Sequence, residues 1–177
     1  MNFERFEKNL IDNIKEAQLK LGYDNRPMSL NYMTASLKNL IGEDITDNLL
    51  SEFSEYALPR LGNLTFHPIK DGICITIPAE GTSYVNSLSG YDFLAELIKI
   101  VSSHASLEEV TAVFGKYSDN VVIEESAGEE FDLLVYFPDK APDEYFYCLA
   151  AEPCISGGCH AMYHRFIRED YEEMFSN

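Results

Sequence analysis

The chain has no tryptophan, little positive charge, only four cysteines and no long apolar run. Each shortage narrows what its 177 residues can be. Without Trp, the aromatic mass rests on 11 Phe and 11 Tyr, and each buried Tyr needs a polar outlet for its hydroxyl. Thirteen Lys and Arg face 30 Asp and Glu, a formal net charge of −17. The deficit is uneven: residues 1–61 hold 7 basic and 10 acidic side chains, the rest 6 and 20. Such a surface repels phosphate backbones and offers none of the counterion release that drives nucleic-acid binding. Anionic membrane surfaces are disfavoured on the same ground.

Nothing approaches the run of about 20 apolar residues that a membrane span needs. The opening Met1-Asn2-Phe3-Glu4-Arg5 leads straight into an amphipathic pattern, so no secretory signal is expected. Cys74, Cys148, Cys154 and Cys159 are then expected to be reduced thiols in a cytoplasmic protein. Ten glycines and seven prolines are scattered, which excludes linker-like and low-complexity classes. Dinucleotide and Walker loops, the G-x-S-x-G elbow and the H-E-x-x-H zinc pattern are all missing.

What is present reads as one α+β domain over 1–177, with candidate subunits 1–78 and 79–177. Phe3, Phe6, Leu10, Ile14, Ala17 and Leu21 recur every three or four residues, which predicts a helix ending at Gly22. A second helix is expected from Ser29 to Gly42, with Leu30, Met33, Leu37 and Leu40 on one face. A third is expected from Asp44, carrying Ile45, Leu49, Phe53 and Ala57, and ended by Pro59 and Gly62. Leu64–Phe66 and Ile73–Ile77 alternate around Lys70-Asp71-Gly72, a hairpin signature, and Pro68 assigns the first strand to an edge. Three helices and a hairpin follow the order of a winged helix. The third helix nonetheless offers Asp44, Asp47, Asn48, Glu52 and Glu55, and no basic residue before Arg60. That is the wrong chemistry for a major groove.

Residues 79–90 read as a polar loop. A helix on Tyr91, Leu94, Leu97, Ile98 and Val101 follows, and the capping box Ser106-x-x-Glu109 opens another through Phe114. Strands are expected at 119–125, 131–137 and 144–151, forming a small, mostly antiparallel sheet. A C-terminal helix is expected over 160–175.

Chemistry concentrates in Cys148, Cys154, Cys159, His160 and His164. Thiolate and imidazole are zinc's preferred ligands, so Cys154, Cys159, His160 and His164 form a candidate zinc set, although no C-x-x-C spacing supports it. If that segment is helical, His160 and His164 share a face. The same residues suit a nucleophilic thiol, with His164 the better-placed base and Gly157 and Gly158 near the reacting sulfur. The structural alternative is that Cys148 packs in a strand and His160 caps a helix. Acidic residues 124–132 lack the alternation of a calcium loop and read as a solvated strand turn.

Two stretches, Leu10-Ile-Asp-Asn-Ile-Lys-Glu-Ala-Gln-Leu-Lys-Leu-Gly-Tyr23 and Tyr163-His-Arg-Phe-Ile-Arg-Glu-Asp-Tyr171, resemble a small family of uncharacterised bacterial proteins from anaerobic gut-type bacteria. The resemblance implies a chain of this length and transfers no activity or site residue. Three functions follow from the residues. The first is a non-catalytic binding protein for a protein partner or small ligand, using the acidic C-terminal two-thirds or the polar loop 79–90. The second is a metal-dependent or thiol enzyme centred on Cys154, Cys159, His160 and His164. The third is a nucleic-acid regulator, which the charge opposes.

Overall fold

The computed structural model describes residues 1–22 and 24–176. Tyr23, which closes the first resembling stretch, and Asn177 lie outside the described residues. The fold is α+β, with helices at both ends and two antiparallel sheets. The chain divides into two compact units, Met1–Gly90 and Tyr91–Asn177.

The first unit begins with α1 (Phe3–Leu21), where the expected stripe buries Phe6, Leu10 and Ile14 completely. Asn2 caps its start by accepting from the Arg5 amide at 3.0 Å. A strand, β1 (Met28–Met33), comes next and then α2 (Thr34–Ile41), where the sequence suggested a single helix from Ser29. Two periods overlap there. Leu30, Met33 and Leu37 have helical spacing, but Met28, Leu30 and Tyr32 are more buried than Ser29, Asn31 and Met33, the alternation of a strand. Pro27 biases the preceding residue to extended backbone. Gly42, left-handed at φ 84°, closes α2 as expected.

The third helix, α3 (Asp47–Leu61), starts later than the sequence suggested, because Thr46 and not Asp44 caps it by accepting from the Leu49 amide at 3.2 Å. It runs through Pro59 in its last turn to Gly62, whose amide donates to Leu58 O. β2 (Thr65–Ile69) and β3 (Gly72–Ile77) form the expected hairpin, and β1 pairs along the other side of β3. The sheet order β1-β3-β2 leaves Pro68 on an edge, where its missing N–H costs nothing.

Most of 79–90 is not a loop: Ala79–Asn86 form α4, and only 87–90 are irregular. Composition misleads here because small polar residues serve a close approach. A Cβ on Gly81 would lie 2.3 Å from Leu61 O and 2.7 Å from Ile77 Cγ2. Thr82 is fully buried, with its hydroxyl donating to Arg26 O and Ala79 O. Lys15 of α1 reaches the C-terminal end of α4, with Nζ 3.3 Å from Asn86 O and 3.1 Å from Leu88 O. Carbonyls at a helix C-terminus suit a cation, although burial holds Lys15 below the usual lysine range.

The second unit opens with α5 (Asp92–Ser102) and α6 (Leu107–Tyr117), both expected, the latter with its capping box fully formed. Four strands follow: β4 (Val122–Glu125), β5 (Leu133–Tyr136), β6 (Phe146–Pro153) and β7 (Cys159–Phe166). They pair in sequence order as an antiparallel meander. The C-terminal segment therefore needs correction. Residues 160–166 are strand, and only α7 (Arg168–Phe175) is helical. Ala161 and Tyr163 are buried between more exposed neighbours, a period of two, and Gly157 and Gly158 at φ 92° and 75° turn β6 into β7.

Both faces of this sheet are covered in part. On one, Phe93 of α5 and Phe114 of α6 meet Tyr147 edge-on, with centroids 5.7 and 5.2 Å away, and Tyr147 donates its hydroxyl to Asp143 at 2.6 Å. On the other, Tyr171 of α7 packs with Leu134, Phe146 and Cys148.

Candidate functional site

The hairpin β6–β7 decides where the cysteines and histidines go. Its register sets Cys148 opposite His164, Glu152 opposite His160 and Pro153 opposite Cys159. Side chains two apart on a strand share a face, so Cys148, Glu152, His160 and His164 lie on one face and Cys159 on the other. The loop after Pro153 folds back tightly: the Cys154 amide donates to Gly158 O at 3.0 Å, and the Gly157 amide to Cys154 O at 3.1 Å.

Of the four residues singled out in the sequence, two meet. Cys154 Sγ and His160 Nδ1 are 2.9 Å apart. His164 lies about 13 Å further along the strand at 3.3 Å per residue. It meets Phe131 edge-on and stacks on Phe166, with centroids 5.7 and 6.0 Å away. Cys159 is exposed. Among the described residues no group of three or more His, Cys, Asp or Glu side chains is placed to hold a metal ion. Cys148 does sit in a strand, fully buried, and burial pushes its thiol up to about 12. The imidazole beside a thiol is that of His160, not His164, because a strand-to-strand turn replaces the expected helix start.

His104 belongs to this cluster and carries no local sequence signal. Its ring meets the His160 ring edge-on, centroids 5.1 Å apart. The connector between α5 and α6 lies along the outer edge of β7, where Ala105 O accepts from the Ala161 amide at 2.8 Å. That bond brings the two imidazoles together. His104 adopts φ 61°, a left-handed conformation uncommon for a residue with a Cβ.

The first unit presents a second candidate surface, the outer side of α3. Asp47, Asn48, Ser51, Glu52, Glu55, Tyr56 and Leu58 are exposed, while Leu49, Leu50, Phe53 and Ala57 are buried. Tyr56 is braced by Phe3, centroids 5.6 Å apart, and by Arg60, whose guanidinium lies 5.2 Å from the ring centre. Arg60 is committed inward: Nε donates to Glu7 Oε1 at 2.7 Å, and that bond raises the guanidinium further. Lys38 lies 2.7 Å from Asp44, which lowers the carboxyl and raises the amine.

The chain belongs to a family of unknown function, DUF3877, described after an E. rectale gene and matched over residues 3–175. This bears out the family resemblance and covers both units. No curated protein and no solved structure matches the chain. Among the described residues no helix is long and apolar enough to cross a membrane.

Proposed function

We propose that this is a cytoplasmic, non-catalytic binding protein whose first unit is a winged helix, with α3 turned to contact with another protein. The element order helix, strand, helix, helix, hairpin, with the lone strand on the far side of the hairpin's second strand, supports the winged-helix reading. In such a unit α2 and α3 stand as the helix-turn-helix pair and α3 is the helix offered to a ligand.

One observation carries the choice of ligand. The exposed side of α3 is acidic, with Glu52 and Glu55 between Tyr56 on one margin and Leu58 and Asp47 on the other, and its one cation, Arg60, is engaged by Glu7. Duplex DNA needs arginine, lysine or amides at that position and phosphate contacts around it. A braced tyrosine flanked by Glu52 and Glu55 suits a protein that offers an apolar contact within a basic surround.

The test is a differential enrichment. Proteins retained by the full chain are compared by mass spectrometry with those retained by a Glu52→Lys, Glu55→Lys variant, alongside titration of a labelled DNA duplex. The reading expects specific proteins lost with the charge reversal and no duplex binding by the wild type near physiological salt. Duplex binding by the wild type, or identical protein sets, would count against it.

A further inference from the structure

We propose that Cys154 is a nucleophilic thiol that exchanges with small neutral or cationic disulfides, with His160 carrying its proton. Three features of the β6–β7 turn support this. Cys154 is half-buried, and its Sγ lies within hydrogen-bond distance of an imidazole nitrogen. The imidazole is held in place, because His160 sits in a paired strand and its ring packs against His104. A base fixed against a thiol is the arrangement that makes cysteine nucleophilic near neutral pH.

The exchange balances without an outside electron source. Sγ attacks one sulfur of the small disulfide. A new S–S bond forms on Cys154 as the old one breaks, and the second half leaves as a thiolate. His160 Nδ1 takes the Cys154 proton and returns it to the departing sulfur, giving a mixed disulfide and one free thiol.

Acyl transfer suits the site less well. The Cys154 and Gly157 amides are spent on Gly158 O and Cys154 O within the loop, whereas an oxyanion needs free donors. In disulfide exchange the charge develops on the leaving sulfur. The class of disulfide follows from charge. Glu152 lies across from His160 on the same face, and residues 91–177 carry 18 acidic against 5 basic side chains. An anionic disulfide is repelled, and a cationic one is drawn in. Cys159 points to the opposite face, so while the hairpin keeps its register it does not resolve the mixed disulfide. The modification stays until an external thiol removes it.

The experiment uses the reduced full chain near pH 7, treated with cystamine or with glutathione disulfide. Modification of all four cysteines is followed by peptide mapping. Cys154 is expected to react about tenfold or more ahead of the exposed Cys159, since an unassisted thiol is only a few per cent thiolate. Cystamine is expected to outrun glutathione disulfide. His160→Ala should lower the Cys154 rate about tenfold, and added imidazole should restore part of it. Cys148, fully buried, reports folding by staying unmodified. If it reacts in the variant, the wild-type ratio of Cys154 to Cys159 decides alone. Parity of those two rates, or a Cys154 rate unchanged in folded His160→Ala, overturns the proposal.

Discussion

Arg60 Nε donates to Glu7 Oε1 across 2.7 Å, linking the last turn of α3 to the first turns of α1. Glu7 retains only 10% of its side-chain exposure and Arg60 36%, so this pair is more than a surface contact. It also takes the one cation of α3 away from any ligand. Arg60→Leu leaves a largely buried carboxylate without its donor and should cost about 1–3 kcal/mol. Glu7→Gln, which keeps an acceptor, should cost less. Urea unfolding of the two variants beside the wild type checks the order.

Two helical glycines make opposite predictions. Gly115 of α6 has open space where a Cβ would stand, so Gly115→Ala should stabilise by up to about 1 kcal/mol through helix propensity. Gly81 of α4 gains the same propensity, but its Cβ would meet the backbone oxygen of Leu61, which has no freedom to swing aside. Gly81→Ala should therefore destabilise, by about 1–3 kcal/mol net. Thermal unfolding of both variants gives the two signs.

Cys148 couples stability to alkaline pH. Burial lifts its thiol from an ordinary value of 9.0 to about 12, so the folded state keeps the proton where the unfolded chain has lost it. The unfolded state then binds fewer protons than the folded one, and stability falls as pH rises. The loss begins near the ordinary thiol value and continues toward about 12. Cys148→Ala removes this term at the expense of a small cavity. Its stability should fall less steeply than the wild type's between about pH 9 and 10.5, as read from urea midpoints at each pH.

Much of the fold was legible where the determinants are local. The stripe of α1 and the capping box of α6 are set within a few residues, and so is the Lys70-Asp71-Gly72 turn between β2 and β3. The misreadings arose where two periods coincide. Leu30, Met33 and Leu37 suit a helix, but Tyr32 pairs with Ile73 and draws the segment into the sheet. His160 and His164, four apart, share a face in a helix and in a strand alike, so their spacing decided nothing. The sheet partner did. Gly81 looked like a loop residue because its reason, the Leu61 carbonyl, lies twenty positions away. The thiol–imidazole contact depends on a turn through Gly157 and Gly158, and His104 on a single hydrogen bond along a sheet edge. Neither leaves a mark in the spacing of the segment itself.

The central claim, that α3 is a protein-contact helix, is tested most directly by site-specific cross-linking. A photoreactive phenylalanine analogue replaces Tyr56 in the full chain, expressed in its native host, and a second variant carries the analogue at Met33, exposed on β1. The account predicts a discrete protein adduct from position 56, absent from position 33 and lost when Glu52→Lys and Glu55→Lys are added. Equal adducts from both positions, or an adduct at 56 indifferent to the charge reversal, would contradict it.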